Sequence, residues 1–307
     1  MKYQKLFLRL MIFNLITISI SYFFVMEYLI RKYVIAIDHD FRRSRIYKES
    51  NSLNTIWGDS ATMTAINNLK DFINFSEGSQ CYREIETKLK NYYLSKPSGG
   101  KVILQLSLNG FAPYRDCYKL NDRVNELYLS EDKEISFYMS KNYFRARSYE
   151  YLKNFLSNNF TMKTDINQVF NRDASVTYLE VYSPRDGQNY FQNKFDNNHK
   201  YLPRSDFVEG GNYKALFNII NFLKTQNVEV CLISTPVHSD FFQYDADRKR
   251  FNPVTNLYKK LSRENGFQYF DFTNYLLPDN NFKDISHLNK KGAIKFTELV
   301  EKKCFQY

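Results

Sequence analysis

Short apolar runs recur through most of the chain, each followed by a stretch of helical period, and this alternation fixes the fold class. Lys101–Leu106 (KVILQL) and Val228–Ser234 (VEVCLIS) are nearly continuous aliphatic runs. They have the length and composition of strands buried on both faces. Weaker strands are expected at Leu53–Trp57, Phe72–Phe75 and Phe267–Phe272. Helical patterning fills the intervals, over Ala61–Leu69, Gln80–Leu94, Tyr213–Leu223 and Pro253–Asn265, and from Asn289 to about Lys303. Pro253 suits a first turn, with Asn252 as the cap before it. Strands separated by helices imply an α/β three-layer sandwich around a parallel sheet. A site in such a sheet lies beyond the carboxyl ends of its strands.

The amino terminus follows another rule. Lys2, Lys5 and Arg9 lead into the apolar run Leu10–Val25. Counted from Leu6 the run is about twenty residues, enough to cross roughly 30 Å of hydrocarbon as a helix. No small-residue cleavage site follows, so an uncleaved single-pass anchor over residues 1–37 is expected, ahead of one domain over 38–307. Arg31, Lys32, Arg42, Arg43 and Arg45 lie beyond the run, so basic residues flank both ends and leave the orientation open. Residues 114–211 form a polar, aromatic insertion in the domain, with a helix expected at Ser148–Asn158 and a strand at Val176–Val181.

The net charge of +10 favours anionic surfaces. Acidic residues are interspersed among the basic ones, and no compact Lys/Arg block marks a nucleic-acid partner. The four cysteines, Cys81, Cys117, Cys231 and Cys304, fit neither a zinc site nor a C-x-x-C pair. No metal or cofactor is expected. Cys231 lies in an apolar run and reads as a core residue. Cys81 and Cys117 could pair in an exported domain, but spacing does not fix that pairing.

Two segments carry candidate chemistry. Gly58-Asp59-Ser60 closes the first strand, where glycine permits a tight turn and the serine faces the mouth of the sheet. These are also ordinary turn residues. Asp284-Ile285-Ser286-His287-Leu288-Asn289 lies between the last strand and the last helix. A serine nucleophile needs a base, and the base needs an orienting carboxylate. Asp284, three residues before His287 on a loop, can reach the ring; the bland alternative is a helix-capping turn. His238, after the fourth strand, reads first as a loop residue and second as a lining of the same crevice.

On these residues the chain resembles the SGNH/GDSL hydrolase family. The nearest branch is the membrane-anchored one, which includes alginate O-acetylation proteins and the D-alanylation protein of lipoteichoic acid synthesis. The resemblance rests on GDS after the first strand and on D-I-S-H-L-N with the following Lys290-Lys291-Gly292-Ala293. It implies a triad of Ser60, Asp284 and His287. It also implies an oxyanion hole of Ser60, Gly78 and Asn109, although the usual G-x-N-D block around the last is absent. The implied location is the bacterial envelope, as a single-pass membrane protein with the main domain outside the cytoplasm.

The leading expectation is therefore a serine esterase or O-acyltransferase acting on acyl groups, foremost O-acetyl, of an envelope or secreted polysaccharide. Its partners would be that acylated substrate, the membrane, and a membrane-bound acyltransferase. The alternative is a non-catalytic glycan-binding or assembly protein that keeps the fold. A third reading faces the cytoplasm and meets anionic lipid through Arg31 to Arg45.

Overall fold

The computed structural model describes residues 2–35, 38–117, 122–129, 138–157, 168–170, 175–182, 202–242 and 245–305. In chain order the helices are α1 (Lys2–Leu29), α2 (His39–Glu49), α3 (Ser60–Ala65), α4 (Tyr82–Leu94), α5 (Asn142–Ser157), α6 (Gly211–Thr225), α7 (Asp245–Asn265) and α8 (Lys290–Cys304). The strands are β1 (Thr55–Trp57), β2 (Ile73–Asn74), β3 (Lys101–Gln105), β4 (Gln168–Phe170), β5 (Val176–Tyr178), β6 (Glu229–Ser234) and β7 (Gln268–Asp271). The chain divides into two compact units, one of Met1–Arg45 with Asn121–Thr164, the other of Ile46–Leu120 with Asp165–Tyr307.

The first unit holds the apolar helix. Within Tyr3–Val34 an 18-residue segment reaches a mean hydropathy of 1.8, and the helix is long and apolar enough to cross a membrane. At its far end Glu27 is buried, and its carboxylate accepts hydrogen bonds from Arg31 and from the backbone N–H of Met139. Asp38 is buried too. It accepts from Arg147 and Tyr151 of α5 and from the backbone N–H of Asp40, so one carboxylate caps α2 and anchors α5. The helix α2 arises within the polar stretch 38–54, where the sequence reading placed no element.

The second unit is the expected three-layer sandwich. Its parallel sheet has the order β2-β1-β3-β6-β7. The step from β1 to β2 runs one way and every later step the other. Right-handed crossovers therefore put α3 on one face and α4, α6 and α7 on the opposite one. Packing agrees with this. Trp57, Phe75, Tyr92 and Tyr93 cluster on the α4 side, with the Trp57 and Phe75 rings 5.1 Å apart. On the other face Ile56, Ile103, Cys231 and Ile233 pack with Ala65, Phe296, Val300 and Cys304. A fully buried aliphatic side chain contributes about 1.5–3 kcal/mol. The short β4–β5 hairpin forms a separate antiparallel pair.

Several boundaries depart from the sequence reading. The helix α3 ends at Ala65, not Leu69, because Ile66 turns extended and the buried Asn74 amide donates to the carbonyls of Thr62 and Ile66. The helix α7 begins at Asp245, so Pro253 sits inside it, not in its first turn. Phe251, Val254, Tyr258 and Leu261 form one buried stripe along α7, and that packing outweighs the single backbone bond proline removes. In the insertion, α5 starts six residues ahead of the expected Ser148 and β5 stops at Tyr178; Asn158 lies outside the described residues. Cys231 is buried as expected, but it is bonded to Cys304, and Cys81 is bonded to Cys117. The pairs are 73 and 36 residues apart in sequence. On the loop-closure account each such bridge is worth about 4 kcal/mol.

Candidate active site

Ser60 is the first residue of α3, immediately beyond β1, and its position is set from below. The preceding glycine is required by close approach, since a Cβ at Gly58 would lie 2.5 Å from the Gln105 side-chain oxygen. That oxygen instead accepts the backbone N–H of Asp59 at 2.7 Å. Asp59 caps α3 by accepting from the N–H of Ala61, and its other oxygen accepts from Ser107 and from Arg115 at 2.9 Å. The Asp59 and Arg115 side chains are 5% and 6% exposed, so this is a buried ion pair directly under the serine turn. Burial works against the guanidinium charge, and the Asp59 carboxylate beside it outweighs that and raises the Arg115 pKa. Arg115 also donates to the carbonyl of Gln80, tying this turn to the loop after β2.

His287 reaches the same point from the far end of the chain. Its loop is pinned by Asn289, which caps α8 through the N–H groups of Lys291 and Gly292 while donating to the carbonyls of Asn280 and Phe282. Gly292 is needed because a Cβ there would run into the Asn281 carbonyl. The N–H of His238 donates to the carbonyl of Ile285, which holds the loop against the end of β6.

The structure brings Ser60, His287 and Asp284 into one line. The Ser60 hydroxyl lies 2.9 Å from His287 Nε2, and His287 Nδ1 lies 2.9 Å from both Asp284 oxygens. A carboxylate facing Nδ1 keeps the proton there and leaves Nε2 to accept from the hydroxyl. Burial pushes the Asp284 carboxyl up. The His287 charge, with hydrogen bonds from His287 and Ser286, outweighs it and holds the pKa at about 2. Tyr178 stands edge-on to the His287 ring, 6.2 Å between centroids, and the Lys283 ammonium lies 3.5 Å from the centre of the Tyr178 ring.

A cavity of about 180 Å³ opens beside Ser60 and His287, walled by Ser79, Ser107, Asn109, Tyr114, Val237 and Phe241 among others. Asn109 lies in this wall, with its amide donating to Tyr114 and its carbonyl oxygen accepting from Ser107. Gly78 is half-buried, and the wall on that side is its neighbour Ser79, held at a φ of 59°. Behind them lies a fully buried ion pair, Glu77 with Lys88 at 3.2 Å. His238 is buried and turned elsewhere. Its Nε2 meets Asp279 at 3.1 Å and its Nδ1 accepts from the N–H of Asp240, with the Tyr182 ring 4.3 Å away. Among the described residues no cluster of His, Cys, Asp and Glu could hold a metal. Sequence reasoning missed Gln105, Ser107, Tyr114 and Arg115. Nothing near them in sequence points to a site, since their roles arise from the sheet and from a turn at the start of the insertion.

Residues 187–303 match the family described as DltD protein. The family resemblance drawn from the motifs is thus borne out over the segment that holds Asp284 and His287. No curated protein sequence matches the chain significantly. Solved structures similar in shape include an aryl esterase of M. smegmatis, with a TM-score of 0.37 and 10% identity, covering 81% of this chain and 97% of that one. A carbohydrate acetylesterase family member from Sinorhizobium meliloti has a TM-score of 0.32 at 10% identity, covering 81% and 95%. A gut microbial diltiazem-metabolizing enzyme has a TM-score of 0.38 at 9% identity, and the chain spans 46% of its length.

Proposed function

We propose that the chain is a serine-dependent acyl transfer enzyme of the SGNH kind, anchored in a bacterial membrane with its main domain outside the cytoplasm. The observation that carries this is the unbroken line from the Ser60 hydroxyl through His287 to Asp284, each step 2.9 Å. Ser60 Oγ attacks an ester carbonyl while its proton passes to His287 Nε2. The imidazolium so formed is stabilised by Asp284, and the carbonyl oxygen becomes an oxyanion. Backbone N–H groups at Ser60 and at the Gly78–Ser79 turn, with the Asn109 amide, would stabilise that charge. The tetrahedral intermediate collapses as Nε2 returns the proton to the departing alcohol, leaving acyl-Ser60. Water or a sugar hydroxyl then attacks, deprotonated by the same nitrogen, and Ser60 is released.

The small cavity favours a short acyl group, foremost acetyl, on an envelope or secreted polysaccharide, with a membrane-bound acyltransferase as its supplier. Two disulfides support an oxidising compartment and hence export. The test is covalent labelling with a serine-reactive phosphonate together with turnover of a small acetyl ester. Both should be present in the full chain and absent from Ser60→Ala. Turnover that survives Ser60→Ala sinks the mechanism, and a wild-type chain with neither signal favours the scaffold reading.

A further inference from the structure

The helix α5 has two unlike faces. Phe144 and Ser148 are buried, and Arg147 and Tyr151 turn to Asp38. At 100° per residue, Arg145, Tyr149, Leu152 and Leu156 fall on another arc about 60° wide. Along it Tyr149 is 46% and Leu156 54% exposed, Leu152 is half-buried, and Arg145 is exposed at one end. Lys153 flanks the arc and is exposed as well. Two large apolar groups in line with a half-buried third make a contiguous apolar stripe, the kind of surface that a partner or a membrane covers.

The partner is indicated by what Tyr149 already touches. Its ring stacks on Tyr22 of α1 at 6.5 Å, and the Tyr22 hydroxyl donates to the Tyr149 hydroxyl at 2.6 Å. Tyr22 belongs to the apolar stretch whose neighbours Phe24, Val25 and Tyr28 are all more than half exposed. If hydrocarbon covers Leu6–Val25, Tyr22 lies about 5 Å inside its upper edge, at 1.5 Å per residue. That is the level at which tyrosine rings gather between lipid chains and headgroups. An apolar arc starting there, flanked by two long basic side chains that can extend to phosphates, has the build of an interfacial helix.

We infer that α5 lies in the headgroup layer of the bilayer that α1 crosses, with Tyr149, Leu152 and Leu156 in the acyl boundary and Arg145 and Lys153 on lipid phosphates. The inference rests on the membrane-crossing reading of α1. Both can be tested in one experiment, because the native cysteines form two disulfides and an introduced cysteine supplies the labelling thiol. The full-length variants Ile16→Cys, Leu156→Cys and Asn154→Cys are labelled with an environment-sensitive dye and placed in phosphatidylcholine/phosphatidylglycerol vesicles. Asn154 is exposed and about 170° from the centre of the arc. The label at 16 should be quenched by lipids with a nitroxide at the chain centre. The label at 156 should be quenched by a nitroxide near the headgroup, and by iodide at least about threefold less than the label at 154. Equal iodide quenching at 156 and 154, with 16 behaving as expected, overturns the interfacial helix alone. Failure at 16 overturns the crossing helix and the inference with it. A label at 156 shielded from iodide but untouched by lipid nitroxides means that protein covers the arc, which also overturns it.

Discussion

Two histidines stand near the same rim of the sheet, each with carboxylates in reach, and they serve different ends. His287 has Asp284 on Nδ1 and a serine hydroxyl on Nε2, and its side chain remains 17% exposed at the cavity. His238 has Asp279 on Nε2 and the Asp240 N–H on Nδ1, and it is 4% exposed under Tyr182 and Phe282. A His–Asp contact therefore does not define a reactive base. What separates the two is the other nitrogen, which in His287 faces the Ser60 hydroxyl at the cavity and in His238 is consumed by the fold. The two are also linked, because the N–H of His238 holds the carbonyl of Ile285 within the His287 loop.

The largest expected effect lies at the first histidine. His287→Ala and Ser60→Ala should each lower kcat for an acetyl ester by about 10⁵–10⁶-fold, and the double variant should lose little more, since the three groups act as a unit. Asp284→Asn should cost about 10⁴-fold, because an amide facing Nδ1 favours the tautomer that leaves Nε2 protonated. Steady-state rates with a matched melting curve for each variant would check both. Additive losses at Ser60 and His287 would break the distinction drawn between the two histidines.

Much of this contrast was legible in the sequence and part was not. Ser60, Asp284 and His287 could be picked out because each lies in a short motif beside a strand or helix end. The parallel sheet was legible because β3 and β6 are aliphatic over their whole length. The tuning of the site was not. Asp59 reads as a turn residue, and only the sheet and the turn at the start of the insertion bring Ser107 and Arg115 onto its carboxylate. Pro253 looked like a helix start because local propensity says so, while the buried stripe of α7 is a tertiary fact. Cys231 read as core, and its bond to Cys304 across 73 residues had no local mark.

At the second histidine the effect should fall on stability. His238→Gln removes an acceptor from the Asp240 N–H and loosens the packing under Tyr182, at a cost of about 1–3 kcal/mol for a buried polar group left unpaired. Denaturant unfolding should show that loss, while kcat falls less than about tenfold, because the ring takes no proton in the reaction. A fall in kcat as large as that of His287→Ala, with the fold intact, would merge the two histidines into one catalytic set.

The smallest effect concerns acid. Asp284 titrates at about 2 in the folded chain, below the ordinary value for its residue type. A depressed carboxylate contributes stability that is fully present above about pH 4, the unfolded value, and is lost as pH falls through the folded value. The groups that hold the carboxyl down, His287 and the hydrogen bonds from Ser286, are part of the folded loop and are lost on unfolding. The Asp284 side chain is 27% exposed, and allowing for screening the contribution is about 1–2 kcal/mol. Wild type should therefore exceed Asp284→Asn in unfolding free energy by that amount at pH 4 to 5, and the two should converge as pH falls toward 2. In His238→Gln, which keeps Asp284 and His287, the same acid-dependent loss should persist. Unfolding free energies of the three chains between pH 5 and pH 2 would check it, and parallel curves for wild type and Asp284→Asn would show that the Asp284–His287 contact carries no such energy.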